Sequence, residues 1–174
     1  MGKSLIRIDR VERHEIGLLA KIGRQTFAET FASSNDADDF ESYLDTAFTT
    51  DQLTSEFSEE HSAFFFARID SEIAGYIKLN TGAAQTEKVE GDALEIERIY
   101  VTAQFQGAGV GKAMFDFASQ IAKEQSRDAI WLGVWEDNPK AIAFYERQGF
   151  EVFGEHVFKL GSDQQRDIMM RLDF

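Results

Sequence analysis

The stretch IYVTAQFQGAGVGKAMFDFA, residues Ile99–Ala118, decides how this chain is read. It begins like an apolar strand, places Gly107, Gly109 and Gly111 at every second position, adds Lys112, and continues with helical spacing. Glycines between a strand and a helix let the backbone come close to a phosphate, because no side chain blocks the approach. Two familiar phosphate loops fail here. A P-loop needs G-x-x-x-x-G-K-[ST], but Gln106 stands at the first glycine and Ala113 where the magnesium-binding hydroxyl belongs. A dinucleotide fingerprint needs G-x-G-x-x-G, and Gly111 comes one residue too early for it.

The bulk numbers bound the alternatives. A chain of 174 residues with 43% hydrophobic and 28% charged residues reads as one soluble globular domain with a real core. No apolar run is long enough to cross a bilayer. The start MGKSLIRIDR has no apolar signal region and completes no lipidation signal, so a cytoplasmic protein is expected. The absence of cysteine removes disulfides, thiolate metal sites and a cysteine nucleophile. His14, His61 and His156 share no metal spacing, so neither a metal nor Ser-His-Asp chemistry is expected. The net charge of −13 argues against nucleic acid and favours cationic partners. That charge is concentrated: the segment from Gln25 to Ala67 carries ten acidic residues and no Lys or Arg. It reads either as solvated helix faces or as a rim that attracts a cationic substrate.

Periodicity predicts the element order β-α-α-β-β-β-α-β-α-β-β, an α/β domain with a mixed sheet. Leu5, Ile6 and Ile8 suggest a first strand, and a helix follows to about Ala32. The SSND segment interrupts it and offers caps for a second helix over Asp36–Phe48. A short further helix is expected over Asp51–Glu60. SAFFFARID, EIAGYIKLN and ALEIERIYV read as strands, the second with Ile73, Gly75, Ile77 and Leu79 on one face and Ala74, Tyr76 and Lys78 on the other. Val110, Ala113, Met114, Phe117, Ala118 and Ile121 mark an amphipathic helix. AIWLGVW follows as a buried strand, then a helix capped by Asn138, started by Pro139 and ended by Gly149. FEVFGEHVFKL and QRDIMMRLDF close the chain as strands.

The pattern that fits the glycine loop is Gln-x-x-Gly-x-Gly, carried by Gln106, Gly109 and Gly111. A second signature, NPKAIAFYERQGF, holds Asn138, Ala141, Phe144, Tyr145, Gly149 and Phe150 after the strand IWLGVW. Together they resemble the GNAT N-acetyltransferase superfamily, in this order and spacing. The resemblance implies a single GNAT-like domain over residues 1–174, with a mixed, mostly antiparallel sheet flanked by helices. It also implies acetyl-CoA as co-substrate and no metal. Gln106, Gly107, Ala108, Gly109, Val110, Gly111 and Lys112 would hold the pyrophosphate. Ile99, Tyr100 and Val101 would meet the pantetheine arm through their main chain, with a bulge in that strand leaving an N–H for the thioester oxygen. Asn138, Lys140 and Tyr145 would complete the cofactor site.

An amine must lose a proton before it attacks a thioester, since an alkylammonium has a pKa of about 10.4. A carboxylate can take that proton, directly or through water. Glu95 and Glu97 are candidates, two apart and hence on one face of a regular strand. By resemblance Glu95 matches a protein-lysine acetylating branch and Glu97 a polyamine acetylating branch; Glu97 is slightly favoured. Either could instead pair with Arg98 or Lys78. By resemblance Tyr145 protonates the departing thiolate, although its helix position also suits packing. TFAETF, YIKLN, LEIERIYV and IWLGVWEDNPKAIAFYERQGF taken together resemble bacterial spermidine/spermine N-acetyltransferases, so a small cationic polyamine is the expected acceptor. Acetylation of a protein N-terminus or lysine is the alternative, and a non-catalytic CoA-binding regulator is the reading from another class. No nucleic acid or membrane partner is expected, and there is room for a homodimer.

Overall fold

The computed structural model describes residues 4–32, 36–161 and 163–174. Strands β1 (Ile6–Arg10), β2 (Ser62–Ile69), β3 (Glu72–Asn80), β4 (Ala93–Val101), β5 (Ala129–Trp135), β6 (Glu151–Leu160) and β7 (Asp163–Asp173) form one sheet. Its order is β1-β2-β3-β4-β5-β7-β6. β4 and β5 are parallel, and the other neighbours are antiparallel. This is the mixed α/β sheet expected from the pattern, mostly antiparallel as the resemblance implies. No described helix is long and apolar enough to cross a membrane.

Helices α1 (Ile16–Phe31), α2 (Ala37–Ala47) and α3 (Thr50–Phe57) precede β2, so the order holds one helix more than the pattern string. α1 starts at Ile16. A 3-10 turn over Arg13–Glu15 comes first, and the Glu12 N–H donates to Glu15 Oε1 at 3.2 Å. Asp36 caps α2, accepting from the N–H groups of Asp38 and Asp39 at 3.0 and 3.2 Å. The rest of the expected SSND cap, residues 33–35, lies outside the described residues. α3 ends at Phe57 rather than Glu60, because the Glu59 N–H turns to Glu56 and Ser62 to Glu59, which reverses the chain into β2. β7 begins at Asp163, two residues before the expected Gln165.

The sheet is covered on both faces, which is why its central strands are buried. On one face α4 (Val110–Glu124) and α5 (Pro139–Arg147) lay Met114, Phe115, Ala118 and Tyr145 on Ile77, Leu79, Ile96 and Leu132. On the other, Leu19, Ile22 and Leu53 pack on Phe64, Phe66 and Tyr76. Phe27, Phe40, Leu44 and Phe48 continue that layer to Leu160 of β6.

Two bulges change which side chains share a face. Between β2 and β3 the register passes from Ala67↔Gly75 to Arg68↔Ile73, leaving Ala74 as an extra residue. Ala74 therefore joins Ile77 and Leu79 under α4, and Ile73 joins Tyr76, against the simple alternation expected. Between β3 and β4 the register passes from Leu79↔Ile96 to Lys78↔Arg98, and Glu97 is the extra residue. Beyond it Tyr100 packs on the α1 side, while Ile99 and Val101 pack under α4.

β3 and β4 approach closely at Gly75, where an added Cβ would sit 2.3 Å from the Tyr100 carbonyl oxygen. Gly75→Ala is expected to cost roughly 1–3 kcal/mol, as overpacking against backbone does. Gly17, an exposed position of α1 with nothing near an added Cβ, is the control. Gly17→Ala should be neutral or stabilising by up to about 1 kcal/mol. Urea denaturation midpoints check both, and equal midpoints would contradict the close approach.

Candidate active site

The parallel pairing of β4 with β5 is short. It runs from Ala93↔Ala129 to Ile96↔Leu132 and stops. β4 then continues against β3 to Val101, and β5 continues against β7 to Trp135. The two strands separate, and a seam opens between them. The Thr102 N–H donates to Ala74 O at 2.9 Å, and the Tyr100 carbonyl also faces β3 at Gly75. By alternation, the main-chain groups of Ile99 and Val101 face the seam.

The glycine loop follows directly. Gly107 and Gly109 have φ of +80° and +87°, a left-handed conformation that costs other residues roughly 1–2 kcal/mol. Nothing in the chain lies within 4 Å of a Cβ built at either position. Backbone conformation requires glycine here, and the space above is open. Gly109 caps α4, and the first bond of the helix is the Ala113 N–H to Gly109 O at 3.0 Å. The N–H groups of Val110, Gly111 and Lys112 precede that ladder. The first turn carries no acidic residue, so it is suited to an anion. Gln106 and Ala108 complete the loop, the buried Val110 side chain anchors it, and Lys112 pairs with Asp116.

On α5, Asn138 Oδ1 accepts from the Ala141 N–H at 3.2 Å, as a cap should, with Lys140 exposed beside it. Tyr145 is buried, its ring centroid 5.2 Å from that of Phe144 and 5.5 Å from that of Phe150. Burial pushes its hydroxyl above the ordinary phenol range.

On the α1 side of the seam lies a cavity of about 350 Å³. Phe27, Phe31, Tyr43, Phe48, Trp135 and Phe158 make its apolar wall. Glu95, Glu97, Arg98 and Tyr100 of β4 line it, with Glu87, His156 and Asp167 opposite. Tyr145 is not among the lining residues.

The bulge and its surroundings give the two glutamates different environments. Glu95 is only 2% exposed and accepts from Asn80 Nδ2 at 3.0 Å, from the Thr86 N–H at 2.8 Å and from Thr86 Oγ1 at 2.5 Å. Ser62 Oγ donates to Asn80 Oδ1 at 2.8 Å, which turns the amide N–H₂ towards Glu95. Burial raises the Glu95 pKa, against the opposing pull of the Thr86 and Asn80 hydrogen bonds. Glu97 pairs with Lys78. Lys78 Nζ also lies 2.7 Å from Glu56 Oε1, which lies 2.7 Å from Arg98 Nη2. Burial opposes ionisation of Glu56, but Arg98 and Lys78 outweigh it and hold the carboxyl below its usual range.

Several residues here carry no signal in the sequence. Asn80 and Thr86 orient Glu95 from β3 and the loop after it. His156 and Asp167 meet because β6 and β7 pair them in register, eleven residues apart in the chain. Several of the Gln25–Ala67 acids are engaged within the fold. Glu41 and Asp45 pair with Arg24, Glu29 accepts from the Ala103 N–H, and Asp36 caps α2. None of the ten lines the cavity; α1 and the segment through α2 to Phe48 contribute aromatic rings instead.

A sequence model described as "Acetyltransferase (GNAT) family" matches residues 26–150. Over 166 residues the chain is 40% identical to the "Uncharacterized N-acetyltransferase in pepI 3'region" of Lactobacillus delbrueckii subsp. lactis, covering 95% of this chain and 96% of that protein. It is 23% identical over 151 residues to the spermidine N(1)-acetyltransferase of Thermoplasma acidophilum, covering 84% and 89%. Its fold is similar to the crystal structure of PaiA N-acetyltransferase from Thermoplasma acidophilum in complex with coenzyme A, with a TM-score of 0.75, 20% identity, and 98% and 99% of the two chains covered. With more than half its length matched by the family model, the chain belongs to the acetyltransferase (GNAT) family.

Proposed function

We propose that the protein moves an acetyl group from acetyl-CoA to a primary amine by direct attack, with both substrates bound together. One juxtaposition carries this reading. The open β4–β5 seam has an anion-ready helix start at one end and a carboxylate-bearing cleft on its α1 side. Acetyl-CoA supplies the acetyl group as a thioester. The N–H groups of Val110, Gly111 and Lys112 hold its pyrophosphate, and Ile99 and Val101 bond the pantetheine amides like an added strand. The chain has no cysteine to carry an acyl group, which favours direct transfer.

Glu95 takes the proton from the acceptor ammonium, directly or through water. Its raised pKa brings a carboxylate nearer to operating pH, which improves a general base. Glu97 is committed to Lys78 and shapes the bulge. When the C–S bond breaks, Tyr145 gives its proton to the leaving sulfur. Its high pKa keeps the phenol protonated until then. The acceptor is a cationic amine, with a polyamine such as spermidine as the specific candidate. The carboxylates around an aromatic-walled cleft support that candidate, because rings and carboxylates both attract ammonium groups. Similarity to a spermidine acetyltransferase agrees with it. A thiol-release assay with spermidine, a lysine peptide and a peptide N-terminus compares the acceptors. No thiol release with any of these amines would favour a non-catalytic regulator.

CoA at a hundred times its Kd should stabilise the protein against heat by about 2.7 kcal/mol, and ATP should not. Gly109→Asp should abolish that shift by placing a carboxylate against the pyrophosphate and straining a positive φ. Equal stabilisation by ATP would contradict the loop assignment.

Glu95→Gln should lower kcat by roughly 10²–10⁴-fold. In the unmodified enzyme the rate should fall on the acid side around a pKa above the usual carboxylate range, because Glu95 must be ionised to act. Tyr145→Phe should cost a similar factor in kcat while CoA affinity, measured by calorimetry, stays the same. Full turnover in either folded variant would remove that residue from the chemistry.

A further inference from the structure

His156 lies in the cleft with no part in the proposed chemistry. Its ring rests on β5 at Gly133, where an added Cβ would be 3.3 Å from Cε1. Nε2 is 3.2 Å from Asp167 Oδ2. Nδ1 is buried, 3.4 Å from Glu87 Oε1, and makes no hydrogen bond among the described residues. The ring thus stands between two carboxylates, on β7 and on the loop between β3 and β4. Glu95 of β4 is the third acid that acts on it. The flanking Glu155 and Arg166 pair with each other, and Arg166 also pairs with Glu136.

We infer that His156 is a specificity-determining residue, competing with a second ammonium group of the acceptor for Asp167 and Glu87. The inference rests on the cleft being the amine site. With a charged imidazolium, the trio of His156, Asp167 and Glu87 carries one net negative charge. With a neutral ring it carries two, and has room for one more cation. The hydrogen bond to Asp167 raises the His156 pKa, burial works against it, and the charges of Asp167, Glu87 and Glu95 add to the rise. The exchange therefore falls above the ordinary imidazole value. Below it the cleft takes monoamines and diamines alike. Above it a diamine gains a second anchor, with its apolar chain along the aromatic wall. By linkage, a bound diamine must lower the His156 pKa by the same factor that deprotonation raises diamine affinity.

The test compares 1,4-diaminobutane with butylamine on the full chain with CoA present. The His156 imidazole signal, identified by its loss in His156→Gln, is titrated by NMR. Diaminobutane should lower the His156 pKa and butylamine should not. A one-unit fall corresponds to tenfold tighter diamine binding at high pH. The diaminobutane-to-butylamine ratio of kcat/KM should rise with pH by that factor; taking the ratio cancels titration of Glu95, which both amines share. His156→Gln should hold the ratio high at every pH, and Asp167→Asn should hold it low. Equal pKa shifts with the two amines, or a pH-independent ratio while butylamine is acetylated, would overturn the role of His156 and leave acetyl transfer standing. If neither amine moves the signal nor is acetylated, the amine-site reading falls, and this inference with it.

Discussion

Four residue pairs of parallel β-ladder, from Ala93↔Ala129 to Ile96↔Leu132, hold the two halves of the sheet together at its centre. Everything functional depends on where that ladder stops. Had β4 and β5 paired to their ends, Ile99 and Val101 would have spent their main-chain groups on each other's strand, leaving no opening. Both strands remain supported beyond the stop, β4 by β3 and β5 by β7, so the seam stays open without exposing either strand on both edges. This satisfies most of the backbone while leaving a chosen few groups free.

The bulge at Glu97 sits one residue past the last paired position. Bulges re-aim side chains near active sites, and this one puts Arg98 and Tyr100 on the cleft side and Ile99 and Val101 under α4. It also brings four charges into a low-exposure chain, Glu97–Lys78–Glu56–Arg98. Buried ion pairs contribute little net stability, because desolvation offsets their attraction. Their value here is geometric. With two cations and two carboxylates the chain is neutral, and removing any member would leave a partner charged and poorly solvated. Glu95 stands apart from it, held by neutral donors from Asn80 and Thr86. That difference in partners, and not the spacing of the two glutamates, separates their environments.

Much of this was readable in the sequence, for identifiable reasons. The glycine loop and the Asn138 helix are local: a positive φ at Gly109 and a cap from Asn138 to Ala141 need only a few consecutive residues. The succession of strands and helices along the chain followed from periodicity. The bulges did not, because an extra residue at Ala74 or Glu97 is defined only against the partner strand. The partners of the acidic segment were hidden for a related reason. Its charge is real, but Arg24, Lys78 and Arg98, which neutralise part of it, lie outside the segment. His156 was invisible as a site residue because Asp167 reaches it across the β6–β7 pairing and Glu87 from the loop after β3.

The central claim is that the seam beyond Ile96 and Leu132 receives the amide-bearing arm of CoA on β4. Backbone amide exchange, followed residue by residue with and without CoA, tests it most directly. The account predicts slowed exchange at Ile99 and Val101 when CoA is bound, with the amides of Ala93–Ile96, already within the ladder, little changed. CoA binding confirmed by calorimetry with unchanged exchange at both Ile99 and Val101 would contradict it.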